Sequence, residues 1–140
     1  MKKFLTLILF FLSSTAFSEM VHLDCTATIT SIHEGHFGKS RYSVGDTKGP
    51  YLIDIDLDKE TGKIGNWSEE KFSINPNNPD NVMTIGDGQI RFGDVVNGDW
   101  YMAIRRKDLF FAGMIGYGAK EFMQGECVLV EKRELPKRAF

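Results

Sequence analysis

The clearest pattern in the chain is an alternation of apolar and polar residues that begins just after residue 20. From Val21 to Ile32, the odd-numbered positions as far as residue 29 are apolar or cysteine, and the even-numbered positions as far as residue 30 are polar. Because successive side chains of a β-strand point to opposite faces, this segment is predicted to be a half-buried strand with Cys25 on its inward face. The same alternation predicts a second strand from Tyr51 to Asp58, followed by a turn at residues 60–62.

Six further short apolar runs follow the second strand, and turn-forming residues separate nearly all of them. The runs span residues 72–74, 82–85, 89–95, 100–105, 109–115 and 122–130. Asp87-Gly88 and Asn97-Gly98 predict tight hairpins, because both central positions of a type I′ turn need positive φ, and Lys107-Asp108 predicts a third. No stretch keeps a helical apolar period for three turns. The predicted fold is therefore all-β, a single small antiparallel β-barrel, with a β-sandwich as the alternative.

The start of the chain has the features of an export signal. Lys2 and Lys3 give a positive start, residues 4–12 form an apolar run interrupted only by a threonine, and Ala16 and Ser18 are small enough for a signal peptidase. A run of this length is too short to cross a bilayer as a helix, and no second run reaches that length, so no transmembrane segment is predicted in the mature chain. We expect residues 1–18 to be removed, and residues 19–140 to form one periplasmic or secreted domain with a short charged tail at 131–140.

Two cysteines lie near the two ends of the predicted domain. An exported protein enters an oxidising compartment, and we predict that Cys25 and Cys127 form a disulfide bond between the first strand and the last. These two strands are neighbours in a barrel, so the bond is compatible with closure of the sheet. A redox pair normally has Cys-x-x-Cys spacing, which this chain lacks.

Composition and charge are those of an ordinary globular protein, with 42% hydrophobic and 26% charged residues. The 17 lysines and arginines include Lys2 and Lys3, so 15 remain in the mature chain against 19 acidic residues. This balance gives no general attraction for nucleic acid, and no nucleic-acid partner is predicted. A chain of 140 residues also has no room for separate cofactor and substrate domains.

Two groups of residues resemble parts of metal sites. His33 and His36 have a spacing that a zinc or copper loop can use, but the zinc-protease pattern needs a histidine one position later. Asp54, Asp56 and Asp58 resemble the opening of a calcium loop, whose later glycine and glutamate are missing. A solvated turn and the wet face of a strand explain these residues more simply. No metal and no cofactor is predicted, and metal binding by His33 and His36 stays an open alternative.

Familiar catalytic patterns are missing from the sequence. It contains no Gly-x-Ser-x-Gly elbow and no phosphate-binding loop, and no spacing singles out a pair of catalytic carboxylates, so no catalytic residue is predicted. The leading hypothesis is a non-catalytic binding or inhibitor-type module that acts on a protein, glycan or envelope component. The alternative is a small hydrolase or metal-dependent enzyme with a site at the barrel mouth. A filled interior with an exposed aromatic patch favours the first, and a pocket with converging ionisable side chains favours the second.

The segment from His33 to Gly49 is the candidate contact region. Its seventeen residues exceed the usual length of a connection, and long ordered loops in compact domains are often functional. Aromatic side chains in this segment offer rigid contact area and basic side chains offer charge. The candidate contact residues are Phe37, Lys39, Arg41 and Tyr42. The competing interpretation, which the many short strands elsewhere favour, makes residues 37–44 another strand with its aromatic side chains in the core.

The cysteines, the last strand and the candidate region together carry a resemblance to a known family. Cys25 and Cys127 bracket a small exported all-β domain, and Gly125-Glu126-Cys127 lies on its final predicted strand. This outline resembles the periplasmic inhibitors of C-type lysozymes, which are eight-stranded barrels. Ser40-Arg41-Tyr42 is similar to part of their Ser-Gly-x-x-Tyr loop, although it falls early in the chain and no Trp-x-Lys-Gly segment follows it. The resemblance implies a barrel and an inhibitor-type role, and no residue role is carried over from it.

The export prediction is checked by the intact mass of the protein recovered from the exported fraction. We expect a mass that lacks residues 1–18, because the apolar run is followed by small side chains at Ala16 and Ser18. The control variant Ala16→Phe, which puts a bulky side chain at the cleavage site, should accumulate with the segment attached. An exported wild-type protein that retains residues 4–12 would contradict the prediction.

Overall fold

The computed structural model describes residues 19–35, 38–65, 71–93, 100–116 and 118–131. Within these ranges the protein is all-β, with nine strands and one short 3-10 turn at Pro79–Asn81. The strands are β1 (Met20–His33), β2 (Thr47–Asp56), β3 (Thr61–Ile64), β4 (Phe72–Ser73), β5 (Met83–Ile85), β6 (Gln89–Phe92), β7 (Trp100–Arg105), β8 (Phe110–Gly116) and β9 (Lys120–Val130). None of the described residues belongs to a helix long and apolar enough to span a membrane. The predicted export signal, the Asn97-Gly98 turn and tail residues 132–140 lie outside these ranges.

The nine strands form one sheet that closes on itself almost completely. Each strand from β1 to β4 and from β5 to β9 pairs antiparallel with the next one along the chain, and β9 pairs antiparallel with β1. An isolated parallel bridge between Ser73 and Val82 joins the remaining edges, β4 and β5. The predicted antiparallel barrel is therefore confirmed, and the sandwich alternative is wrong.

The eight strands predicted from the apolar runs are all present, and β3 is one that the sequence pattern missed. The prediction placed a turn at residues 60–62, whereas the chain turns earlier, with Glu60 in the left-handed region at φ 54°. β3 therefore begins at Thr61, and its apolar content is low because Gly62 occupies an inward position. A Cβ on Gly62 would lie 2.8 Å from the Phe92 ring, so the glycine makes room for an aromatic side chain of β6.

Two of the three predicted hairpin turns lie in the described part of the chain. Lys107-Asp108 connects β7 to β8, and Leu109 completes that turn at φ 60°. Asp87-Gly88 connects β5 to β6, but neither residue adopts the positive φ that a type I′ turn requires, so the predicted turn type is wrong. The Gly88 carbonyl instead accepts a hydrogen bond of 2.9 Å from the backbone N–H of Arg106, which ties this turn to the neighbouring hairpin.

Apolar side chains from every part of the sheet fill the barrel interior. The inward face predicted for β1 is confirmed, because Leu23, Cys25, Ala27 and Ile29 are all at most 2% exposed. The largest completely buried side chains come from strands around the barrel and include Phe72, Phe92, Phe111, Ile53 and Met102. The centre of the barrel is therefore a packed hydrophobic core rather than a ligand chamber.

The predicted disulfide is confirmed at the contact between the first and last strands. Cys25 and Cys127 face each other directly in the register of β1 and β9, with their Cα atoms 4.0 Å apart. The same two strands also approach closely at Gly125, where a Cβ atom would overlap the Thr26 carbonyl oxygen and lie 2.7 Å from the Ala27 Cα. Glycine at position 125 therefore permits the close contact beside the disulfide.

A pair of glycine substitutions tests this close contact. Gly125→Ala is expected to lower the free energy of unfolding by about 1 to 3 kcal/mol, because β1 and β9 must separate to admit a methyl group. Gly88→Ala is the matched control, since nothing lies within 4 Å of a Cβ at that turn. Its stability should stay within about 0.5 kcal/mol of wild type. Chemical denaturation measures both, and equal stability of the two variants would contradict the proposed role of Gly125.

Candidate functional site

A loop covers the end of the barrel where β1 ends and β2 begins, which we call the mouth. From residue 38 to residue 46 this loop contains no strand beyond an isolated bridge between Gly35 and Gly38, so the strand interpretation of 37–44 is wrong for its described residues. The loop is fixed to β1 by two backbone hydrogen bonds, from Gly45 N–H to the Ile29 carbonyl and from Ile29 N–H to the Asp46 carbonyl. We call residues 38–46 the mouth loop.

The mouth loop and the connection between β8 and β9 enclose a cleft of about 540 Å³. The loop contributes residues 39–42, and β2 contributes Lys48. The opposite wall is apolar at Ile115 and Ala119 and ends in the carboxylate of Glu121. The volume is in the range of pockets that hold a small molecule or a single projecting side group.

Glu121 is the most deeply buried charged residue of the cleft. It lies on the inward face of β9 and is only 9% exposed, in phase with the buried Met123 and Cys127. One carboxylate oxygen accepts a short hydrogen bond from the Ser40 hydroxyl. The other lies 3.6 Å from the Lys48 ammonium nitrogen. Both oxygens therefore have partners, as a buried carboxylate requires.

Lys48 reaches Glu121 because β2 contains an irregularity. Cys25 pairs with Tyr51 and Ala27 pairs with Lys48, so β2 has one residue more than β1 between these two pairs. The extra residue shifts the alternation of β2 and places Lys48, like Tyr51, opposite an inward-facing residue of β1. Without the bulge, the lysine would have the phase of an outward-facing side chain.

Tyr42 connects the ion pair of Lys48 and Glu121 to the surface. Its ring centroid lies 3.5 Å from the Lys48 ammonium nitrogen, and its backbone N–H donates to the Ser40 hydroxyl oxygen at 3.1 Å. The residue is nevertheless 45% exposed. The cation under the ring orients an aromatic side chain whose remaining surface is available to a ligand.

The structure brings three of the four predicted contact residues to the cleft. Lys39, Arg41 and Tyr42 are exposed and line its outer edge, and we call these three the rim. Neither Lys39 nor Arg41 forms an ion pair with any described residue. Phe37, the fourth predicted residue, lies outside the described ranges.

The sequence did not identify Ser40, Lys48 and Glu121, which form the floor of the cleft. Glu121 was left outside the predicted strand, which began at Phe122. Its spacing of six residues from Cys127 puts both side chains on the same face of a strand, and this signal could have predicted an inward position. Lys48 carried no such signal, because the bulge in β2 inverts its phase.

The possible metal ligands have other roles where the structure describes them. The His33 ring packs edge-on against Phe122 at 5.1 Å, and His36 lies outside the described ranges. The Asp54 carboxylate accepts a hydrogen bond of 2.7 Å from the His22 ring nitrogen Nδ1. Within the described residues, no group of three histidine, cysteine or acidic side chains is arranged to hold a metal ion.

Tyr51 lies beneath the floor of the cleft and is 6% exposed. Its hydroxyl donates to the Met123 sulfur at 3.9 Å. Burial raises the pKa of the Tyr51 phenol from 10.0 to about 12, with smaller contributions from Tyr42 and from the negative charge of Glu121. The phenol therefore stays protonated under all ordinary conditions.

Comparisons of the chain with protein families, with curated proteins and with solved structures find no match.

The raised pKa of Tyr51 predicts a specific alkaline loss of stability. Above pH 10 the phenol ionises in the unfolded chain but stays protonated in the native state up to about 12, so the unfolded state binds fewer protons. The contribution of the buried Tyr51 phenol to the free energy of unfolding is present below pH 10 and is lost as the pH rises toward 12. We expect the free energy of unfolding of Tyr51→Phe to fall less than that of wild type between about pH 9 and about pH 11. If the free energies of unfolding of the two proteins fall in parallel as the pH rises, the raised pKa of Tyr51 is contradicted.

Proposed function

We propose that the protein is an exported, non-catalytic binding or inhibitor-type module that acts on a protein, glycan or envelope component. It contacts its partner with the mouth loop and the cleft. The observation that carries this proposal is the division of the cleft into an exposed rim and a buried floor: Lys39, Arg41 and Tyr42 are accessible, while hydrogen bonds and an ion pair fix the floor beneath them. A binding site of this kind is already formed before the partner arrives.

The core supports binding at the surface rather than chemistry inside the barrel. Large apolar side chains occupy the barrel centre, so a ligand has access to the mouth and not to the interior. Tyr42 is exposed at the mouth, and tyrosine is one of the residue types that most often make large contributions to binding energy. Arginine is another, and Arg41 lies beside Tyr42 in the sequence.

The disulfide is compatible with the exported location. A bond between Cys25 and Cys127 persists in an oxidising compartment and is uncommon in a reducing cytosol. Together with the apolar N-terminal run, it supports a periplasmic or secreted protein.

The enzyme alternative is supported by one observation, the cluster of Ser40, Lys48 and Glu121. Two ionisable groups converge there on a serine hydroxyl. The groups, however, engage one another: the hydroxyl donates to a carboxylate whose second oxygen already faces the lysine. This contact between a hydroxyl and a carboxylate is also the one that a serine nucleophile makes with its base, but here it fixes the mouth loop, whose exposed rim has the features of a binding surface. Binding is therefore the better supported function.

The proposal is tested by capture from envelope extract with the oxidised mature protein as bait. Bound species are identified by mass spectrometry, and the affinity of the principal species is then measured with purified components. We expect Tyr42→Ala to weaken binding by at least about thirtyfold, the loss typical of a central contact residue. Lys39→Glu/Arg41→Glu should weaken it further through charge reversal.

The matched control is Lys59→Glu/Lys107→Glu, which makes the same change of charge in turns at the opposite end of the barrel. This control should bind like wild type, and both charge-reversal variants should keep the wild-type melting temperature, because the four basic side chains are exposed. Equal binding by rim and control variants would refute the proposed contact surface. Ser40→Ala separates the two functions, since turnover of the captured species that is lost in this variant would establish an enzyme.

A further inference from the structure

We propose that the cleft at the barrel mouth binds an acidic sugar, a compact ring that carries a carboxylate or phosphate group. The anionic group lies between Lys39 and Arg41, and the ring packs against Tyr42. This inference rests on the proposed binding function and specifies the chemistry of the ligand.

The charge of the cleft is the first observation. Three cations line it, at Lys39, Arg41 and Lys48, against the single carboxylate of Glu121. That carboxylate is already neutralised by Lys48, so the two rim cations remain without an anionic partner in the described structure. Glu34, the acidic residue at the start of the loop, accepts a hydrogen bond of 3.3 Å from the Ser40 N–H and does not line the cleft. The unbalanced charge favours a ligand with a negative group.

The chemistry of the rim suits an oxyanion with several oxygens. The Arg41 guanidinium offers a planar fork of N–H donors, which suits a carboxylate or a phosphate, and Lys39 adds a flexible ammonium two residues away. Both groups are exposed, so binding requires no rearrangement of buried charge.

The remaining walls fit the body of a sugar ring. The ring of Tyr42 is held by the ammonium of Lys48 and is 45% exposed, which provides a flat surface for the C–H face of a pyranose. Ile115 and Ala119 extend the apolar surface. Ser40 and Glu121 place a hydroxyl and a carboxylate on the floor, where a sugar's own hydroxyls find hydrogen-bond partners.

Other compact anions match these walls less well. A fatty acid needs a long apolar channel, whereas the floor of this cleft is an ion pair and the barrel beyond it is filled. A simple aromatic acid gains from Tyr42 but has no hydroxyl groups with which to use the remaining acceptor capacity of the polar floor. An acidic side chain of a partner protein would use the rim alone, and the experiment distinguishes this case.

The test is a titration of the mature, oxidised protein followed by NMR and calorimetry. The acidic sugars are tri-galacturonate, glucuronate and glucose 6-phosphate. Methyl-esterified tri-galacturonate and glucose are the neutral counterparts, and benzoate and inorganic phosphate test the anion without a sugar ring. We expect at least one acidic sugar to bind at the cleft at least about tenfold more tightly than its neutral counterpart and than either simple anion. Added salt should weaken this binding.

Variants assign the binding to the cleft. Arg41→Gln and Lys39→Gln should each lower the affinity for the acidic sugar by several fold, because they remove charge without removing bulk. Both should leave the weak binding of its neutral counterpart unchanged. Tyr42→Leu should lower the affinity for both the acidic sugar and its neutral counterpart. The control Lys59→Gln/Lys107→Gln, at the opposite end of the barrel, should behave like wild type. Comparison of the affinities for the carboxylate sugars and for glucose 6-phosphate then identifies which anion the rim prefers.

Four outcomes would overturn the inference: equal binding of acidic and neutral sugars, equal binding of the simple anions, effects of the control variant equal to those of the rim variants, and no binding by any acidic sugar. If no acidic sugar binds while a protein from the extract is still captured through the rim, the inference fails and the proposed binding function stands. If rim variants also leave capture unchanged, both fail.

Discussion

The pairing of β1 with β9 is the contact on which the rest of the structure depends. It joins the two ends of the described chain into neighbouring strands, and the sheet becomes a barrel only because this pair forms. The disulfide between Cys25 and Cys127 links the strands covalently, and Gly125 allows their backbones to approach closely beside it. In the chain-entropy account, a bond across so long a loop removes about 4 to 5 kcal/mol of freedom from the unfolded chain.

The same pairing creates the cleft. Once β1 and β9 are in register, the inward face of β9 continues beyond the apolar core to Glu121 at the mouth. A carboxylate in that position needs partners, and the bulge in β2 supplies Lys48 while the mouth loop supplies Ser40. The loop is therefore held in place at two points, by the hydrogen bond from Ser40 to Glu121 and by the backbone hydrogen bonds between residues 45–46 and Ile29.

Most of the fold could be predicted from the sequence, and only half of the site. The alternation of β1 and the positions of the cysteines are local or compositional features, and they indicated both the barrel and the disulfide. Tyr42, Lys39 and Arg41 stood out because they lie in an unusually long connection. Lys48 could not be predicted, since its inward phase comes from a bulge that depends on how β2 pairs with β1. The β3 strand was missed for a related reason. A glycine is needed at position 62 because the Phe92 ring of β6 lies against it, and this contact between distant residues leaves no trace in the local sequence pattern.

The division between floor and rim has a physical consequence for how such a protein can change. Ser40, Lys48 and Glu121 contribute to the conformation of the loop, so a change in any of them alters the fold as well as the cleft. Lys39 and Arg41 are exposed and have no ion-pair partner among the described residues, so their replacement costs little stability. Specificity can therefore vary at the rim while the barrel and its buried pair stay the same. Tyr42 belongs to both parts, because the cation beneath its ring is also the partner of Glu121, and it couples recognition at the surface to the charge pair that holds the loop.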